Sequence, residues 1–235
     1  AGMTQSSSLN WNAGTYTGAQ SVGSTLGGTD AGNYVFAGTT GSYTIDPLTI
    51  TGSITGGGNT YGSALAAGTA GLSGVLTNDI VTPGAVTINT TGLLSSSNNL
   101  KAGTHTGIQS VTTLGGTDAA NYGFAGATAN YTVTTKPITL IGITAANKIY
   151  DGNTTATAVI PDDRLGGDVL TVGYSASFSD RHVAAGKTVT LSGINLSGAD
   201  AGNYSLGATS GSTAANITQL ASVAWTGAGG NTLWS

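Results

Sequence analysis

Between Val169 and Phe178 apolar and small polar side chains alternate, so that Leu170, Val172, Tyr174, Ala176 and Phe178 fall on one side of an extended chain. A period of two over this length predicts a half-buried β-strand. The same style continues through Val189, Leu191, Ile194 and Leu196, with a turn predicted at Ser192-Gly193. Tyr131–Thr134 and Ile138–Ile141 flank Lys136-Pro137, which predicts two strand segments with a bend or an edge position at the proline, because proline cannot donate to a ladder. No stretch of ten or more residues carries a helical period. The pattern predicts an all-β chain with one helical turn per repeating unit.

The repetition is explicit in the sequence. Asp30-Ala31-Gly32-Asn33-Tyr34 returns as Asp118-Ala119-Ala120-Asn121-Tyr122 and as Asp200-Ala201-Gly202-Asn203-Tyr204, at steps of 88 and 82 residues. Those steps are the size of a small β domain and exceed the 20–50 residues of a solenoid coil. Upstream, Ala13-Gly14, Ala102-Gly103 and Ala185-Gly186 hold a common register. Downstream, Asp46-Pro47-Leu48-Thr49-Ile50 answers Lys136-Pro137-Ile138-Thr139-Leu140. The expected organisation is the rear half of a module at 1–45, full modules at 46–134 and 135–218, and the start of another segment at 219–235, with Trp225 and Trp234 fitting neither pattern. This arrangement reads as a piece of a longer polypeptide. A unit of about 85 residues buries only a little over 60% of its unfolded surface, so contact with neighbours is expected to support it.

Composition sharpens the picture. Charged residues are 7% of the chain, with ten Asp and no Glu, so hydroxyls and backbone amides must hydrate the surface. Sparse charge also leaves strand edges poorly guarded against pairing, which makes self-association a live expectation. A net charge of −4 offers no basic stripe, which argues against nucleic acid as a partner. Cysteine is absent, removing disulfides and thiolate metal sites. No run of about 18 apolar residues predicts membrane insertion.

In the pentapeptides, Asp30, Asn33, Tyr34, Asp118, Asn121, Tyr122, Asp200, Asn203 and Tyr204 read as a structural turn. The Asp is expected to cap the turn, Gly or Asn to take a positive φ, and Tyr to anchor the loop in the core. The alternative, calcium binding by the three motif aspartates, has too few carboxylates per loop. The densest acidic patch is Asp162, Asp163 and Asp168, a weak calcium candidate whose better reading is a solvated loop. Asp180-Arg181-His182 has the elements of an acid orienting a general base. In the repeat alignment, however, His182 answers Asn99 and Asn10, and His105 answers Tyr16 and Thr188, so neither position requires an imidazole. No catalytic residue and no cofactor are expected.

Three stretches in order, Lys148-Ile149-Tyr150-Asp151-Gly152-Asn153, Phe178-Ser179-Asp180-Arg181-His182-Val183 and Leu196 to Tyr204, resemble the YDG domain. The middle unit, with Thr60-Tyr61-Gly62-Ser63 and Asp118 to Tyr122, resembles the related MBG domain of the Tyr-Gly type, and the front fragment resembles the rear half of such a domain. The resemblance implies non-enzymatic modules in tandem within very large secreted Gram-negative proteins similar to filamentous-haemagglutinin-type adhesins exported by two-partner secretion. The expected fold is thus a series of small β-sandwich or β-grasp-like modules in an elongated array. The expected function is a stiff stalk at the bacterial cell surface or outside it, making many weak contacts with a host or neighbouring-cell surface. The competing expectation is a subunit that binds copies of itself, polymerising into a filament by lending strands to an incomplete module. A carbohydrate-active enzyme ranks last, because no Glu and only dispersed Asp are present for a carboxylate pair.

Overall fold

The computed structural model describes residues 2–222, so the tail with Trp225 and Trp234 lies outside the described residues. The chain is all-β, built from small curled sheets, with three single-turn 3-10 helices among the described residues. Among the described residues no helix is long and apolar enough to cross a membrane.

Two compact units form, and both are discontinuous in sequence. The first takes residues up to Asn59, Ser63–Gly92 and Gly103–Val133, and the second takes Thr60–Gly62, Leu93–Ala102 and the chain from Thr134 on. Two short stretches of the 46–134 sequence repeat therefore fold into the second unit.

In the first unit, Leu48–Thr55 pairs antiparallel with Thr69–Ser73 and parallel with Tyr122–Phe124. A second sheet places Gly103–Val111 between Ala127–Thr134 and Thr87–Ile88. Ile50, Val111, Tyr122, Tyr131 and Val133 are buried between these strands, and Gln109, wholly buried, answers the backbone at Gly68 and Asn130. Thr82–Pro83 and Leu114–Gly115 make a short antiparallel pair, and Gly14–Val22 and Thr39–Ile45 form a two-stranded ribbon with no buried residue.

In the second unit a four-stranded sheet runs Lys148–Ile149, Gly211–Thr218, Ala184–Ser197, Thr171–Phe178. Its inner face carries Phe178, Val189, Leu191, Ile194, Ala215 and Ile217, with Val172, Tyr174 and Ala176 packed against them. The alternation read from Leu170 to Phe178 thus becomes the strand facing the core. The turn expected at Ser192-Gly193 is instead a bulge. The strand Ala184–Ser197 continues through it while Gly173 pairs with Asn195 and Ser175 with Ser192, and Gly193, at φ 61°, absorbs the extra residue.

A second bulge recurs at one place in all three sequence repeats. Gly18, Gly107 and Gly186 take positive φ at matching register breaks, and in the latter two the glycine N–H donates to the side-chain oxygen of Asn130 or Asn216. This structural match overturns the alignment that equated His182 with Asn99 and Asn10. Gly186 answers Gly107, so His182 sits in a short hairpin tip without a counterpart, and the 14-residue excursion that follows Ile88 is missing after Phe178.

Leu191 has no solvent exposure, so Leu191→Ala removes packed methyl groups and should cost about 2–5 kcal/mol in chemical denaturation. Val35→Ala, at a fully exposed side chain, should leave the midpoint where it is.

Candidate functional site

All three pentapeptides fold alike. Each makes one 3-10 turn, closed by N–H bonds from the second motif residue to the Gly two residues before the motif and from the Asn to the Asp carbonyl. Two expectations for the motif fail in detail. No Asp caps its own turn, and positive φ belongs to Gly28, Gly116 and Gly198, two residues before the Asp, not to the Gly or Asn within the motif.

The Asp side chains do something else. In the second unit Asp200 is buried, and its carboxylate receives Val169 N–H at 2.9 Å and Ser96 N–H at 3.3 Å, while its own N–H returns to Val169 O at 3.1 Å. Asn203 Oδ1 accepts Ala102 N–H at 2.9 Å. The Tyr204 hydroxyl accepts Leu165 N–H at 2.9 Å and donates to Asp168 Oδ2 at 2.6 Å. Asp168 also accepts Ser97 N–H at 3.1 Å and the Tyr61 hydroxyl at 2.6 Å. Tyr61 and Tyr204 meet edge to face with centroids 5.4 Å apart.

The first unit repeats this arrangement apart from the Tyr61 contacts. Asp118 receives Ile80 N–H at 2.8 Å and Ser7 N–H at 3.1 Å and returns its N–H to Ile80 O at 3.1 Å. Asn121 accepts Ala13 N–H at 2.7 Å. Tyr122 accepts Leu76 N–H at 3.1 Å and donates to Asp79 at 2.6 Å, and Asp79 accepts Ser8 N–H at 2.8 Å.

Each pentapeptide so engaged therefore clasps two remote segments, one of pattern Leu-x-x-Asp-(Ile/Val) and one of pattern Ser-Ser-Ser. The serine segments share a conformation of their own. Ser6 N–H reaches Asn10 O and Ser95 N–H reaches Asn99 O, both at 2.8 Å, and Leu9 and Asn98 both take φ near 60°. Asp79, Asp168 and the serine segments were not assigned to the motif from the sequence, although Ser6 to Ser95 and Asp79 to Asp168 each keep a spacing of 89 residues.

Electrostatics follow the bonds. The Tyr122 hydroxyl, ahead of the Ser8 donors, holds Asp79 down to about 2. Desolvation pushes Asp168 up, but the bonds from Ser97, Tyr204 and Tyr61 outweigh it and leave the carboxyl below its ordinary value. Asp200 behaves similarly, with Val169 and Ser96 overcoming burial, and Ile80 then Ser7 lower Asp118. Burial first, and then the bond to a carboxylate, raise Tyr61, Tyr122 and Tyr204 above the usual phenol range.

The structure does not bring Asp162, Asp163 and Asp168 together as one site. Asp162 pairs with Arg164, Asp163 accepts Thr139 N–H at 2.7 Å and pairs with Lys136 at 3.2 Å, and Asp168 belongs to the clasp. Among the described residues there is no group of three acidic or histidine side chains placed to hold a metal ion. Asp180 pairs with Lys187 and accepts His182 N–H at 2.8 Å, and that bond uses the backbone of His182, not its ring.

With the second clasp and its sheet in place, comparison with protein families matches residues 134–221 to one model. A YDG domain is detected there. The YDG match takes in Leu165 to Val169 and the third pentapeptide, while Tyr61 and the serine segment that complete the clasp lie ahead of it in sequence. No curated protein and no solved structure matches the chain.

Removing Asp168 orphans the Ser97 N–H and takes the carboxylate from the Tyr204 and Tyr61 hydroxyls, the latter keeping Ser95 at 2.6 Å, so Asp168→Ala should cost about 2–4 kcal/mol in urea or guanidinium unfolding. Asp30→Ala, whose carboxylate has no side-chain partner, should leave the midpoint unchanged. The pH dependence has a fixed sign. Carboxyls depressed by folding add stability that is complete above about pH 4 and is lost as pH falls toward 2, and raised tyrosines add stability that is lost as pH climbs above about 10. Thermal melts against pH should show both flanks, and Asp79→Asn should flatten the acid one.

Proposed function

We propose that the chain is a non-enzymatic structural and adhesive region of a large secreted bacterial surface protein, a stiff stalk with many weak contacts to a host or neighbouring-cell surface. The observation carrying this reading is how the acidic side chains are used. Asp79, Asp118, Asp168 and Asp200 are committed to backbone amides and tyrosines, an arrangement that resists separation of segments and uses these carboxylates to hold the fold. The exposed faces of the sheets present hydroxyls and few charges, which suits weak, repeated hydrogen bonding strengthened by multivalency. The YDG match at 134–221 is consistent with a module used for structure.

A second reading, a subunit that polymerises by strand exchange, draws on the ribbon Gly14–Val22 and Thr39–Ile45, which buries no residue and leaves Tyr43 and Val22 exposed. Negative-stain microscopy of concentrated protein tests it, since only short monodisperse particles would dismiss it.

For the first reading, beads bearing many copies of the chain should be retained on epithelial or bacterial cell layers under flow, while the same chain in solution dissociates quickly. Saturable, tight binding by the single soluble chain would overturn the multivalent reading, as would any turnover of a cell-surface glycan.

A further inference from the structure

The first pentapeptide has the geometry of the other two and none of their partners. Its Asp30 has φ −100° and ψ 9°, against −99° and 3° at Asp118, and Tyr34 has φ −128° and ψ 150°, against −120° and 152° at Tyr204. The turn is therefore formed without a clasped segment. Yet Tyr34 is 71% exposed, whereas Tyr122 and Tyr204 are 7% and 6% exposed. The glycines in front of the motif give the sharper comparison. A Cβ at Gly116 would meet Ile80 O at 2.2 Å and one at Gly198 would meet Val169 O at 2.6 Å, so both glycines exist to let a strand approach. Gly28 keeps the same positive φ, at 106°, with nothing within 4 Å. A surface groove lined by Leu26, Gly28, Asp30, Tyr34 and Phe36 occupies that position.

We infer that the Leu26–Phe36 loop is a docking site for a polypeptide strand of pattern Leu-x-x-Asp-(Ile/Val) supplied by another module of this type. Four contacts define the fit, each copied from the two engaged loops. The residue after the aspartate gives its N–H to the Asp30 carboxylate and accepts Asp30 N–H. The strand's aspartate accepts the Tyr34 hydroxyl, and its leucine N–H donates to the Tyr34 oxygen. A folded second copy of this chain is not the occupant, because its two segments of this pattern, Leu76–Ile80 and Leu165–Val169, are already held by their own pentapeptides. The inference shares with the filament reading only the exposed front segment, and it requires no polymer.

The test uses the whole chain and a synthetic peptide of residues 74–84. Binding is read by the shift of the ring resonances of Phe36, a groove residue that every variant keeps, and in a second form the same peptide is tethered ahead of residue 1 through a long Gly/Ser linker, which raises its effective concentration to the millimolar range. Saturable binding is expected, weakened about tenfold by Tyr34→Phe, by Asp30→Asn, or by Asp79→Asn within the peptide, the scale of one charge-assisted hydrogen bond. Because Asp30 and Tyr34 have no internal side-chain partner, both variants should fold as the parent does. An unshifted Phe36 in the tethered form, or binding indifferent to those substitutions, overturns the inference. Self-association of the chain alone that Tyr34→Phe abolishes would make a second copy the occupant and overturn it as well. Peptide binding without filaments keeps the inference and removes the polymer.

Discussion

A carboxylate can leave water only if donors replace the water it gives up, and that requirement organises this protein. Asp118, Asp168 and Asp200 are all buried, and among the described residues none of them is in an ion pair with Lys, Arg or His. Their charge is met by backbone N–H groups and tyrosine hydroxyls, and those donors come from segments 31 to 111 residues away in sequence. These polar bonds have strict geometry and fix which remote segments meet.

This explains a composition that otherwise looks unsuited to folding. With charged residues at 7% ion pairs are sparse, and those seen among the described residues include Lys136–Asp163, Lys148–Asp151, Arg164–Asp162 and Lys187–Asp180. Serine supplies what lysine would supply elsewhere, through its backbone amide more than its hydroxyl. Three successive serines can bend closely enough to offer adjacent N–H groups to two carboxylates at once, as Ser96 and Ser97 do. Bulkier residues there would crowd the approach, and Gly167, whose Cβ would lie 3.4 Å from Ser97, marks how near the two backbones run.

Much of this was legible beforehand and some was not, for physical reasons. Period-two alternation located the strand Thr171–Phe178 because its inner face is continuous, and the absence of helical period left only the 3-10 turns. The pentapeptide was found, but its role was assigned by local turn chemistry, which assumes that an Asp serves its own neighbours. Asp79 went unremarked and Asp168 was grouped with Asp162 and Asp163, because an aspartate whose partners are remote in sequence has no local pattern, and only the 89-residue spacing that Asp79 and Asp168 share with the serine segments links them. The alignment around His182 failed where a hairpin tip lost an excursion. A match of Ala-Gly dipeptides outweighed the bulge glycine that sets the true register.

Both segments held by each engaged pentapeptide lie before it in the sequence: Ser7 and Ile80 precede Asp118, and Ser96 and Val169 precede Asp200. A chain threaded through a pore with its amino end leading would have every docking surface outside before the knot that fastens it emerges. Closure then advances in one direction and never waits for residues still inside. Vectorial maturation of this kind shortens the time that unguarded strand edges spend unpaired.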